Sequence, residues 1–148
     1  MIGDAQEGVA ELRPEARYNQ DALVITRKFA LGVDMINIIA EAAPAACTQS
    51  FKAMELIDRF AWHMANVEGA QQVITLPAVA KIVNAGWNEG NIRWRVLPRG
   101  TDQLRQATQA FETDSGLLNA DCSAIPITIF TDDHRATTID RVVAAVMQ

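Results

Sequence analysis

Positive charge is scarce in this chain: 13 Lys and Arg against 18 Asp and Glu leave a net charge of −5. A general nucleic-acid binder carries a basic surface, so this balance argues against such a partner. Long apolar runs are missing too; no stretch of about 18 such residues exists to cross a bilayer. The opening "MIGDAQEGVAELRPEARYNQD" is acidic and polar, without the basic-then-apolar layout of a secretory signal. Imidazole is limited to His63 and His134, whereas a metal site wants three or four convergent ligands. Cys47 and Cys122 have no C-x-x-C spacing. They read as two buried thiols in a reducing compartment or as a disulfide in an oxidising one, and the residues alone leave that choice open.

What is present is globular. Apolar residues make up 49% and charged residues 21%, enough for a core over 148 positions. That length suits one domain or two small subdomains. Residues 1–20 lack apolar periodicity and read as a loosely ordered lead-in, with the folded domain over 21–148.

Along the chain, "GVDMINIIAE" (32–41) predicts a strand with Val33, Met35, Asn37 and Ile39 on one face. "CTQSFKAMELIDRFAWHMANV" predicts a helix with Phe51, Met54, Ile57, Ala61 and Met64 inward, Thr48 as its N-cap and Gly69 ending it. "QQVITL" follows as a second strand, completing strand–helix–strand. Pro77 suits the first turn of a helix to about Ala85. "GWNEGNIRWRVLPRG" reads as a structured loop. Thr101 caps another helix, with Leu104, Ala107, Thr108 and Phe111 inward. "AIPITIFTD" is a strand that places Ile127 and Ile129 together. "TTIDRVVAAVM" is a final helix with Ile139, Val142, Val143 and Val146 inward, and no strand follows it. The fold class is α/β (α+β), with a mixed sheet and helices packed on one face.

Three clusters hold chemistry in principle. Asp132, Asp133 and His134 end an apolar run; the carboxylates are expected to cap the following helix, accepting from its free N–H groups. His63 lies mid-helix as a surface or satisfied core histidine. Ser115 and Ser123 lie outside any G-x-S-x-G context, and neither cysteine has a base beside it in sequence. In "NIRWRVLPR", Arg93, Trp94, Arg95 and Arg99 interleave cations with an aromatic. The simplest expectation buries Trp94 and leaves the arginines solvated or paired. The alternative has Trp87 and Trp94 flanking a loop whose Arg93 and Arg95 meet a neighbouring domain or an anionic ligand. No set of residues marks an enzyme, a metal site or a cofactor site.

The motifs in order resemble a known family. "RYNQDALVITRKFALGVDMINIIAEA", "CTQSFKAMELIDRFAWHMANVEGAQQVITL", "VAKIVNAGWNEGNIRWRVLPR", "SGLLNADCS" and "IFTDDHRATTIDRVV" are similar to the extracytoplasmic porter region of resistance–nodulation–division (RND) superfamily exporters, MMPL-like bacterial branch. The resemblance spans about residues 17–148. It implies ferredoxin-like βαβ porter subdomains in a soluble periplasmic loop of a proton-driven inner-membrane transporter, with the proton relay in membrane helices outside this sequence. The chain would then be an excised fragment. Its partners would be the rest of the transporter, a second copy of itself through an open apolar sheet face, and hydrophobic or lipid-like cargo, not nucleic acid. The periplasm is oxidising, which turns Cys47 and Cys122 into an expected disulfide. The competing expectation is a stand-alone ferredoxin-like ligand-binding or protein-interaction module.

Overall fold

The computed structural model of the protein describes residue 13 and residues 15–29, 34–109 and 115–147. In chain order they form α1 (Arg17–Phe29), β1 (Asp34–Glu41), α2 (Ala46–Gln49), α3 (Phe51–Met64), β2 (Ala70–Thr75), α4 (Leu76–Trp87), a 3-10 turn (Ile92–Trp94), α5 (Thr101–Gln109), β3 (Ala124–Thr131) and α6 (Ala136–Val146). Helices pack against a single sheet, an α+β arrangement consistent with a ferredoxin-like fold.

The strand order is β1–β3–β2. At one end Ala42 N–H donates to Ser123 O at 2.8 Å, and at the other Asp132 N–H donates to Gly69 O at 3.1 Å. Both pairings of β3 are antiparallel, where a mixed sheet was expected. The strands consecutive in sequence, β1 and β2, do not pair; β3 inserts between them and splits the β–α–β unit. Its burial explains the central place. Ile125, Ile127, Ile129 and Thr131 are all buried on one face while the alternate residues are half-covered. On β1 the face bearing Met35, Asn37 and Ile39 is the open one, with Met35 and Ile39 more than half exposed.

The chain divides into two compact units. The first takes the described residues up to Ile36, together with Trp62–Val73 and those from Ile129 onward. Its α6 buries Thr138, Val142 and Ala145. Val143, expected inward, is 50% exposed, because the inward stripe runs at i, i+4, i+7 from Thr138. Gly69 has φ +95°, and a Cβ there would stand 2.8 Å from Thr138 Cγ2, so both backbone and packing require glycine. Helix α1 begins at Arg17, inside the stretch expected to be loosely ordered. Asn19 is buried near its start and donates Nδ2 to Arg13 O at 3.0 Å. The rest of that lead-in, Gly32 and Val33 of the expected strand, and Phe111 lie outside the described residues.

The second unit takes Asn37–Ala61 and Ile74–Thr128. Met54, Ile57 and Ala61 of α3 face inward as their spacing requires, and α5 lays Leu104, Ala107 and Thr108 against α2 and α4. The helix read as starting near Thr48 is two helices. Thr48 Oγ1 donates to Ala45 O, so it caps nothing; Ser50 breaks the chain and its Oγ accepts from Ala53 N–H at 3.2 Å, capping α3. Thr75 caps α4, with Pro77 in the first turn.

Cys47 and Cys122 are disulfide-bonded, with Cα atoms 5.5 Å apart and a sequence separation of 75. The bond follows from the antiparallel β1–β3 pairing. Cys47 lies just after β1 and Cys122 just before β3, so both fall at the same end of the ladder. Ala45 N–H donates to Asp121 O across that end. Cys122 takes a left-handed φ of 57°. Its turn is held by Asp121 Oδ1, which accepts from Ser123 N–H at 3.1 Å and from Ser123 Oγ at 2.7 Å. The Ser123 hydroxyl, then its N–H, pulls the Asp121 carboxyl below its ordinary value.

Two outcomes are expected. Closing a loop of this length restricts the unfolded chain by roughly 4.5 kcal/mol in the entropy model, so reduction should lower Tm by roughly 10–15 °C. Cys47→Ser and Cys122→Ser should each reproduce that drop without adding to one another, in thermal melts with and without reductant. The depressed Asp121 pKa contributes stability above the ordinary carboxylate range and loses it as pH falls through the lowered value. Urea midpoints of wild type and Asp121→Ala should therefore differ at neutral pH and converge in strong acid; a gap that persists there would contradict the linkage.

Candidate functional site

The most individual surface of the second unit is the segment after α4. The helix ends at Trp87, and two residues with positive φ, Glu89 (59°) and Gly90 (74°), reverse the chain. Gly90 N–H returns to Ala85 O at 2.9 Å. Asn91 Oδ1 then accepts from Arg93 N–H at 3.0 Å, starting the 3-10 turn that Trp94 N–H and Arg95 N–H close onto Asn91 O and Ile92 O. The turn is clamped from α4. Asn84 Nδ2 donates to Trp94 O at 2.8 Å and to Val96 O at 3.1 Å, and Asn88 Nδ2 donates to Asn84 O at 2.8 Å.

Between this segment, α3 and the start of α5 lies an open cleft of about 800 Å³. Phe51, Trp94, Arg99 and Gln103 form part of its wall, with Glu55 and Asp58 on the α3 side. Arg99 lies over the Phe51 ring, 5.8 Å from its centroid. Asp58 is held by Lys81 Nζ at 2.6 Å, and both side chains are largely covered. The cleft thus offers aromatic surface, a stacked cation and a neutralised carboxylate, which suits an amphipathic occupant better than a strongly charged one.

Trp94 is not packed inward: it is 50% exposed, and Trp87 is 56% exposed. Burial was expected because large aromatics normally seek the core, but the carbonyl clamp from Asn84 holds the turn at the surface. Arg93 and Arg95 are exposed and, among the described residues, have no carboxylate partner. Arg99 is committed to Phe51. Sequence reading missed the Asn84 clamp. Its signal was there: an asparagine in the apolar helix "LPAVAKIVNAGW" is a poor helix residue unless its amide has work elsewhere.

The acidic cluster belongs to the first unit and does not cap α6, as was expected of it. The helix starts after Arg135, whose side chain makes no cap bond. Asp133 acts one step earlier: its Oδ1 accepts from Arg135 N–H at 3.0 Å, and its other oxygen lies 3.7 Å from Arg135 Nε. Asp132 is exposed, and its backbone N–H extends the β2–β3 ladder. His134 Nδ1 pairs with Asp34 Oδ2 at 3.3 Å, one hundred residues earlier in the chain. His63 Nε2 contacts Ala145 O at 3.2 Å. Ser115 and Ser123 both serve turns: Ser115 Oγ accepts from Leu117 N–H, and Ser123 Oγ bonds Asp121. Among the described residues no group of three or more His, Cys, Asp or Glu side chains is placed to hold a metal ion.

No protein-family model, curated protein or solved structure matches the chain.

Removing the clamp should free the turn without unfolding the protein. Asn84→Ala deletes two hydrogen bonds, a net loss of about 1–2 kcal/mol. Amide exchange at Trp94 and Arg95 should accelerate at least tenfold while that of Leu104 and Ala107 changes far less. Equal acceleration at all four would show that the clamp holds the unit and not the turn.

Proposed function

We propose that the chain is the extracytoplasmic domain of an RND-type exporter of the MMPL-like branch. In this reading it lies on the periplasmic side of a bacterial inner membrane, shapes part of the substrate path and contacts neighbouring domains of the transporter. It does no chemistry of its own. Energy comes from proton movement through membrane helices outside this sequence.

The split β–α–β unit is the observation that carries the reading. Strands β1 and β2 joined through α3, with β3 antiparallel between them and α6 following, match the ferredoxin-like subdomain that the motif string implies. The disulfide is compatible with an oxidising, extracytoplasmic setting. No described helix is long and apolar enough to cross a membrane, so the spans in this reading belong to other parts of the transporter. The cleft beside Phe51 and Trp94 supports passage of hydrophobic or lipid-like cargo, and the open β1 face bearing Met35 and Ile39 supports contact with another domain or a second copy.

A stand-alone ligand-binding module would use the same cleft, so the discriminating measurement lies outside it. The reading frame that encodes this chain should continue on both sides into apolar spans of about 20 residues. The full-length product should pellet with inner membranes and expose this domain to protease only from the periplasmic side. A reading frame without such spans, or a product recovered in the soluble fraction, would overturn the transporter reading in favour of the module.

A further inference from the structure

We propose that the turn Ile92–Trp94 and the residues beside it form a shallow docking site for an anionic phospholipid bilayer. This rests on the geometry of the turn and not on the transporter reading.

The turn displays apolar side chains on a fixed backbone. Ile92, Trp94 and Val96 are 71%, 50% and 51% exposed, although the Asn84 clamp and the Asn91 turn bonds hold the main chain beneath them. A segment merely lacking a core would have no such anchoring. Trp87 adds a second exposed indole at the end of α4. Cations alternate with the apolar residues, and Arg93 and Arg95 are exposed and, among the described residues, without a carboxylate partner.

That alternation selects the occupant. Trp and Arg also suit protein interfaces, but a stable one takes about 20–30 residues a side, whereas this projecting turn with Trp87 offers six. Single-stranded nucleic acid needs a basic groove that tracks many phosphates, and a chain of net charge −5 with one such turn does not supply it. A bilayer surface meets both demands at once. Indole rings settle at the headgroup level, aliphatic tips enter the acyl boundary, and long arginine stems keep their charge at the phosphates. Because the whole chain is acidic, its mean field opposes approach to an anionic surface, so any binding must come from this local patch.

The test uses the 148-residue chain and sedimentation with vesicles of equal parts phosphatidylglycerol and phosphatidylcholine, against vesicles of phosphatidylcholine alone, at about 0.1 M salt. Wild type should pellet with the anionic vesicles, and its tryptophan emission should shift to the blue, in a Trp62→Phe background as well. Arg93→Gln/Arg95→Gln should weaken partitioning roughly 25-fold, about fivefold for each charge near the surface. Ile92→Ser/Trp94→Ser should abolish the blue shift. All these side chains are exposed, so circular dichroism of the variants should match wild type. Failure of wild type to bind anionic vesicles, undiminished binding by the arginine variant, or tighter binding of single-stranded DNA at the same salt would each overturn the proposal. None of these results bears on whether apolar spans flank the domain, so the two readings fail separately.

Discussion

The antiparallel pairing of β3 with β1 is the interaction on which the rest of the structure depends. It places the last strand between the two earlier ones, so β3 is bonded on both edges and carries the most regular burial in the sheet. Such pairing spans many residues, and closing so long a loop is entropically unfavourable until the ladder and its buried isoleucines offset it. The disulfide acts on the same closure. It lies at the end of the ladder that Ala42 and Ser123 define and shortens the loop the unfolded chain must otherwise search.

Local devices then set the details. Asp121 shapes the turn that gives Cys122 its left-handed backbone, and Ser50 and Thr75 start α3 and α4 by accepting free N–H groups. The Asn84 amide does the reverse of a cap, reaching from the middle of α4 to two carbonyls of the next segment. With the Asn91 bond to Arg93 N–H, it holds the arginine–tryptophan turn at the surface. The cleft beside it, walled by Phe51 under Arg99 and by Asp58, which Lys81 holds, is a consequence of the same placement.

Much of this was legible along the chain. Period and punctuation located β1, the inward face of α3, Pro77 in the first turn of α4, the buried face of α5, and Ile127 with Ile129 on β3, because those signals depend on neighbours within one or two turns. The same reasoning went astray where local and tertiary demands differ. The carboxylates Asp132 and Asp133 stand where caps usually do, but the helix begins later, and Asp133 is used on Arg135 N–H instead. Val143 fits the apolar stripe of α6 by type, yet the packing surface lies beside it.

By itself, then, the amino-acid order marked β1, α3, β2, α4, α5, β3 and α6, though not α1 or the break at Ser50, together with the apolar faces of α3 and α5 and two cysteines close to the ends of strands. Only the tertiary structure decided that β3 separates β1 from β2, that Cys47 meets Cys122, that His134 meets Asp34, and that Trp94 faces solvent. The reason is physical. Helical and strand periodicity is a property of the nearest few residues, whereas strand order and register are chosen by the total burial and hydrogen bonding of segments up to a hundred residues apart, which no local pattern encodes.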